Sequence, residues 1–178
     1  YDNSYIILKQ FRTTMFFAHW SSDETTYRDM EKVNAFCGQC NSEQLHTLRL
    51  YEKKTKHYSV VALGSKKRVS AICHGCLKEY ELEKNEEKNL VKKFTIQIRC
   101  QEGFEAIDEK KFNKAIKKFM KNLKEDNEDV SSMYGLTKCM ISQGRYDDAN
   151  NCLVDLESKL PENPDVKELR QVLEANKH

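Results

Sequence analysis

Phe112-Asn113-Lys114-Ala115-Ile116-Lys117-Lys118-Phe119 returns 34 residues later as Tyr146-Asp147-Asp148-Ala149-Asn150-Asn151-Cys152-Leu153. Three positions keep their character across the shift. An aromatic (Phe112, Tyr146) is followed by an alanine (Ala115, Ala149) and then by a large apolar residue (Phe119, Leu153). Around the first copy, Ala115, Ile116, Phe119, Met120 and Leu123 form one apolar helical face. The alanines must be small where two antiparallel helices cross, and the aromatics wedge into that crossing. Gly103 belongs to the first unit, Gly144 adds the turn between helices, and Pro161, which lacks an N–H, stops the second copy. Asn163-Pro164-Asp165 then opens a further helix with Val166, Leu169, Val172 and Leu173 on one face. A terminal helix of this kind covers the open end of a helical stack.

The period and its aromatic–alanine–apolar signature resemble the tetratricopeptide repeat over about residues 96–161. Ala106 stands where that motif usually carries an aromatic, and Thr137 where the second unit would carry glycine or alanine. The resemblance implies helix pairs whose first members line a concave face. In this register that face carries Gln97, Cys100, Phe104, Asp108, Tyr134, Lys138 and Ile141. The mixture suits an extended or helical peptide. It lacks the Lys/Asn/Arg set with which the chaperone-tail-binding members of the family hold a carboxylate.

Outward from the repeat toward the N-terminus, the grammar changes. Thr47–Tyr51 and Leu77–Leu82 alternate like half-buried strands, and 57–63 and 68–72 are short apolar runs on either side of the turn signal Gly64-Ser65-Lys66-Lys67. This is the pattern of a small antiparallel sheet. Residues 85–95 are polar and read either as a linker or as the start of a helix. The organisation expected is an extension over 1–14, a sheet domain over 15–84, and two repeats with a capping helix over 96–178. The fold class is α+β.

There are seven cysteines among 178 residues, an odd number without a secretory leader pattern, which argues against a disulfide framework. Cys37-x-x-Cys40 and Cys73-x-x-Cys76 stand 32 residues apart with strands between them. Two such knuckles supply four soft thiolates, the donor set of a structural Zn2+. A domain of about 70 residues has a small core, so one ion would supply much of its folding free energy. Gly38 and Gly75 lie inside the knuckles, where a missing Cβ helps a tight turn. An iron–sulfur centre uses the same donors, a redox pair would need a βαβ context, and His74 is a possible substitute ligand. With four thiolates the site is closed to water and structural.

Met15-Phe16-Phe17, the first knuckle, Leu48–Glu52, Leu63–Arg68 and the second knuckle with Tyr80-Glu81-Leu82 resemble a family of small zinc-ribbon proteins over about 15–83. The resemblance implies a ribbon fold and a metal, not an activity. The middle departs from that family, because 56–62 contains neither proline nor tryptophan.

Composition bounds the rest. Thirty Lys/Arg against 28 Asp/Glu leave a net charge of +2, too little to require a nucleic acid by itself. Residues 1–84 hold 13 basic and 10 acidic groups. Lys53, Lys54, Lys56, Lys66, Lys67 and Arg68 form a candidate nucleic-acid patch, with Tyr51 and Tyr58 able to stack bases. Lys110, Lys111, Lys114, Lys117, Lys118, Lys121 and Lys124 read as a solvated helix face or a contact for an anion. The histidines form no catalytic motif, no phosphate loop is present, and no apolar run is long enough to span a bilayer. The reading is a non-catalytic, intracellular adaptor, cytoplasmic or nuclear, that binds a protein through its helical half, with the structural-zinc ribbon as a second recognition module. The alternative is a nucleic-acid- or ribosome-associated factor that uses the basic face of the ribbon.

Overall fold

The computed structural model describes residues 9–10, 23–55 and 65–176. The expected Met-Phe-Phe start, the 57–63 run and most of the 1–14 extension lie outside the described residues. So do Lys56, Tyr58 and Gly64.

The N-terminal unit is a five-stranded antiparallel sheet in the order β1-β5-β4-β3-β2. Its strands are β1 (Lys9–Gln10), β2 (Asp23–Cys37), β3 (Ser42–Thr55), β4 (Lys66–Cys73) and β5 (Glu79–Glu81). Register pairs His46 with Cys73, Leu48 with Ala71 and Leu50 with Val69, while Tyr80 pairs with Ala71. Directly opposed residues point to the same side of a sheet, so these buried side chains make one continuous face. Lys9–Gln10 forms the edge strand β1, with Lys9 opposite Glu81.

Three strand readings change. Lys66 and Lys67 are not a turn tip; they begin β4. The alternation over 77–82 is a strand only at Glu79–Glu81. The long strand β2 has no counterpart in the sequence reading. Among the described residues it is outermost and pairs with β3 alone. Its residues are mostly exposed on both faces, so no period-2 signal marks it.

Residues 85–95 are helix, not linker: α1 runs Lys84–Asp108 without interruption. Its first half is tied to the sheet. Glu87 accepts from the Val69 amide at 3.3 Å, Lys93 pairs with Glu31 at 2.8 Å, and Phe94 is fully buried. The chain divides into two compact units after Phe94.

The helical unit realises the 34-residue period to the residue. Helix α2 (Phe112–Glu125) and α4 (Tyr146–Lys159) correspond at both ends. Helix α3 (Val130–Ser142) begins one period before α5 (Pro164–Ala175) and ends one period after α1. Ala115, Phe119, Ala149, Leu153, Leu156 and Leu173 are all fully buried in one apolar cluster. The turns repeat as well. Lys110 (φ 57°) and Gly144 (φ 71°) occupy the same register in left-handed conformations. The amides of Lys111 and Arg145 then close the helix ends onto Ala106 and Met140 at 2.7 and 2.9 Å, as a Schellman cap does.

Phe119 explains where small residues are needed. A Cβ on Gly103 would stand 2.6 Å from its ring, and one on Gly135 would stand 2.3 Å away. One period later the ring's place is taken by Leu153, and Gly103's by Thr137, which is buried with its hydroxyl donating to the Met133 carbonyl at 2.9 Å. A smaller apolar residue in the second unit goes with a larger neighbour. Asn122 is buried at the junction of α1, α2 and α3. It donates to the Ile96 carbonyl and the Ser132 hydroxyl, both at 3.0 Å, and accepts from Arg99 at 2.8 Å.

Candidate metal centre and helical groove

The hairpin β2–β3 carries Cys37 and Cys40 at its turn, and the turn between β4 and β5 carries Cys73 and Cys76. Pairing of His46 with Cys73 and of Cys37 with Ser42 brings both turns to one end of the sheet. All four Sγ atoms lie within 4.8 Å of one another, with Cys37–Cys76 at 3.7 Å and Cys40–Cys73 at 3.8 Å. None is in a disulfide. A tetrahedron with metal–sulfur bonds of about 2.3 Å has edges of about 3.8 Å. The four cysteines therefore form a cluster able to hold one metal ion, and their soft, chargeable donors fit a thiophilic one.

The knuckles are built alike. The Cys40 amide donates to Cys37 Sγ at 3.4 Å, and the Gly75 amide to Cys73 Sγ at 3.3 Å. The residue following each knuckle, Asn41 (φ 53°) and Leu77 (φ 59°), is left-handed. Gly38 and Gly75 are thus not where the turn needs positive φ. A Cβ at Gly38 would meet nothing, whereas one at Gly75 would press on the Gln44 side chain and on Cys40 Sγ at 3.0 Å. Of the two, only Gly75 is closely approached.

Electrostatics follow from four thiols in so small a volume. Burial works to raise Cys37, but the Tyr80 hydroxyl, with backbone amides, brings it down to about 5. Burial and the neighbouring thiols push Cys40 up to about 12. Cys73 is raised, chiefly by burial, and Cys76 is lowered, chiefly by the Tyr80 hydroxyl. Four like charges cannot all develop here without a cation among them.

Tyr80 is the site residue that cysteine spacing does not disclose. Its hydroxyl lies 3.0 Å from Cys37 Sγ and 3.5 Å from Cys76 Sγ. Burial and the two thiolates keep the phenol protonated, so it donates. The signal available was a tyrosine four residues after the last cysteine on an alternating strand. His46 is fully buried beside it, ring edge toward ring at 6.1 Å, with Nδ1 2.9 Å from the Gln44 carbonyl. His74 is exposed and hydrogen-bonded to Thr47 at 2.7 Å; it is not in the cluster.

The proposed basic patch is a mixed surface. Lys53, Lys66 and Arg68 line a cavity of about 550 Å³ together with Glu79, Glu81 and Glu87. Arg68 pairs with Glu81 at 2.6 Å and with Glu87 at 3.6 Å. Lys67 stands opposite Glu52. Lys54 lies in β3 opposite Glu24, and Lys56 is outside the described residues.

In the helical unit, Phe104 and Tyr134 come together, ring centroids 6.3 Å apart. They line a groove of about 290 Å³ with Val130, Leu160, Asp165 and Val166. Cys100 is instead buried in the apolar core, with burial raising its thiol to about 11. Gln97, Asp108, Lys138 and Ile141 do not line this groove.

No curated protein and no solved structure matches the chain. A family model described as tetratricopeptide repeat matches residues 106–173, unaccompanied by a match to a zinc-ribbon family. The matched stretch runs from the buried Ala106 to the buried Leu173, from the end of α1 through most of α5. Repeats of this kind usually mediate contact with protein partners, and no described helix is long and apolar enough to cross a membrane.

Proposed function

We propose that this chain is a non-catalytic intracellular adaptor. Cys37, Cys40, Cys73 and Cys76 hold one structural Zn2+ in a zinc-ribbon domain, and the tetratricopeptide unit receives a protein segment. The observation that carries the metal half is the gathering of the four sulfurs within 4.8 Å, two of the pairs at the 3.7 and 3.8 Å that a tetrahedral site needs. With every coordination place taken by a thiolate, no water is activated. Tyr80 and the two knuckle amides satisfy sulfur lone pairs from outside the coordination sphere, orienting the ligands as such groups do at metal sites. A reducing cytoplasmic or nuclear setting keeps these thiols available.

The partner half rests on the Phe104–Tyr134 groove. Two half-buried aromatic rings beside the Asp165 carboxylate suit an apolar anchor with a neighbouring amide or basic group. Selection from a random peptide library against the full chain tests it. Enriched peptides should share an apolar anchor, and Tyr134→Glu should abolish their binding. Peptides indifferent to Tyr134→Glu and Phe104→Ala would remove the groove from the reading.

A further inference from the structure

Helices α2 and α4 are register equivalents with the same packing and opposite surfaces. Helix α2 carries five lysines and one glutamate; α4 carries one lysine and four carboxylates. On α2, Lys114, Lys117, Lys121 and Lys124 fall at i, i+3, i+7 and i+10. That is a single row, diametrically opposite the buried stripe of Ala115, Ile116, Phe119 and Asn122. One period later the same four places hold Asp148, Asn151, Asp155 and Ser158. Since α4 builds its repeat with none of these lysines, the fold does not require them.

The row is also unneutralised. Lys118 and Lys111, at its sides, pair with Glu102 and Glu109. Lys117, Lys121 and Lys124 form no salt bridge among the described residues, and Lys114 only feels Glu109 at longer range. All four are exposed. Lys110, in the preceding turn, extends the row by one more exposed charge.

We infer that this row is a docking strip for the phosphodiester backbone of single-stranded nucleic acid, read through charge alone. From Lys114 to Lys124 the row spans about 15 Å, at roughly 1.5 Å per residue, with a charge every 5 Å or so. A nucleic-acid strand presents a negative charge at every unit, whatever its sequence. A peptide would need acidic residues placed to match. Lysine ammonium groups act as mobile point charges, and the row has no arginine fork to read base edges and no aromatic ring to stack on them. One row serves one strand; a duplex would need cations on both sides of a groove. A second copy's α4 is a poor partner: Asp148 is held by Arg145 and Glu157 by Arg170, which leaves Asp147 and Asp155 against a row of four lysines.

The test is fluorescence anisotropy of the full chain with a labelled 20-nucleotide oligouridine and with a mixed-sequence strand of the same length. Four phosphates neutralised on a single strand give a slope of log K against log salt near −3, so raising salt from about 50 to 150 mM should weaken binding about 20-fold. Both strands should bind alike. Replacing Lys114, Lys117, Lys121 and Lys124 together by Gln, which keeps helix propensity, should abolish most of the binding and flatten the slope while circular dichroism stays unchanged. Absence of binding at 50 mM salt, or a slope unchanged in the quadruple variant, would overturn the assignment. So would labelled polyglutamate of equal charge binding more tightly than the oligonucleotide, which would point to an acidic protein partner.

Discussion

The helical unit closes a continuous core from Cys100 to Leu173, in which Phe119 touches two helices and Leu153 fills the matching place one period later. The sheet unit has a thinner interior, a single face built from Leu48, Leu50, Val69, Ala71 and their neighbours. At one end of that face it gathers four thiols. One unit is built around a continuous apolar cluster. The other gathers four thiols that can all ionise together only around a cation. A chain can thus join two solutions to the same problem, the entropy of ordering a small domain.

The largest expected effect separates the units outright. Cys73→Ser should remove the sheet's circular dichroism and amide dispersion while the helical signal survives, because the proposed structural zinc would contribute on the order of 10 kcal/mol to so small a domain. Equal loss from both units would show that they do not fold separately. Next is the ring slot. Gly135→Ala places a Cβ against Phe119 and should destabilise the helical unit by about 1–3 kcal/mol in denaturant melts. Adding Phe119→Leu, the second unit's own arrangement, should recover part of the loss; no recovery would mean the slot is not what sets the cost.

Asn122→Ala should cost about 1–3 kcal/mol, since it strands the buried Ser132 hydroxyl and loosens Arg99. Lys110→Gly should do the reverse. It relieves a left-handed residue where the second unit already has Gly144, for a gain of about 1 kcal/mol. The smallest effect is one of pH. The Arg170 guanidinium holds the Glu157 carboxyl below its usual range, against the opposing effect of burial. Such a group stabilises the fold fully above its unfolded pKa of about 4.3, and loses that contribution as pH falls through the lower folded value. Melting temperature should therefore fall more steeply below about pH 4.3 in the wild type than in Glu157→Gln. Parallel curves would mean the pair contributes nothing.

The helices were legible because their signals are local and repeated. Phe112, Ala115 and Phe119 announce one hairpin, and their echoes at Tyr146, Ala149 and Leu153 fix the period. The sheet was legible only where one face is buried. Strand β2 escaped because a strand exposed on both faces has no reason to alternate, and the short β5 was overextended because Leu82 continues the pattern after pairing ends. The cysteines disclosed themselves by spacing. Tyr80 and His46 did not, since their places depend on register between strands distant in sequence. Of the residues placed on a concave face, Phe104 and Tyr134 meet at one groove, while Cys100 turns inward because helical register alone does not say how far a helix is rotated into the core.

Zinc content measured on the purified full chain, followed through a chelator titration with parallel amide spectra, tests the account most directly. One zinc per chain is expected, with resonances of β3 and β4 collapsing as it is withdrawn and those of α2 to α4 holding their positions. A metal-free preparation whose sheet resonances are dispersed and insensitive to chelator would contradict it.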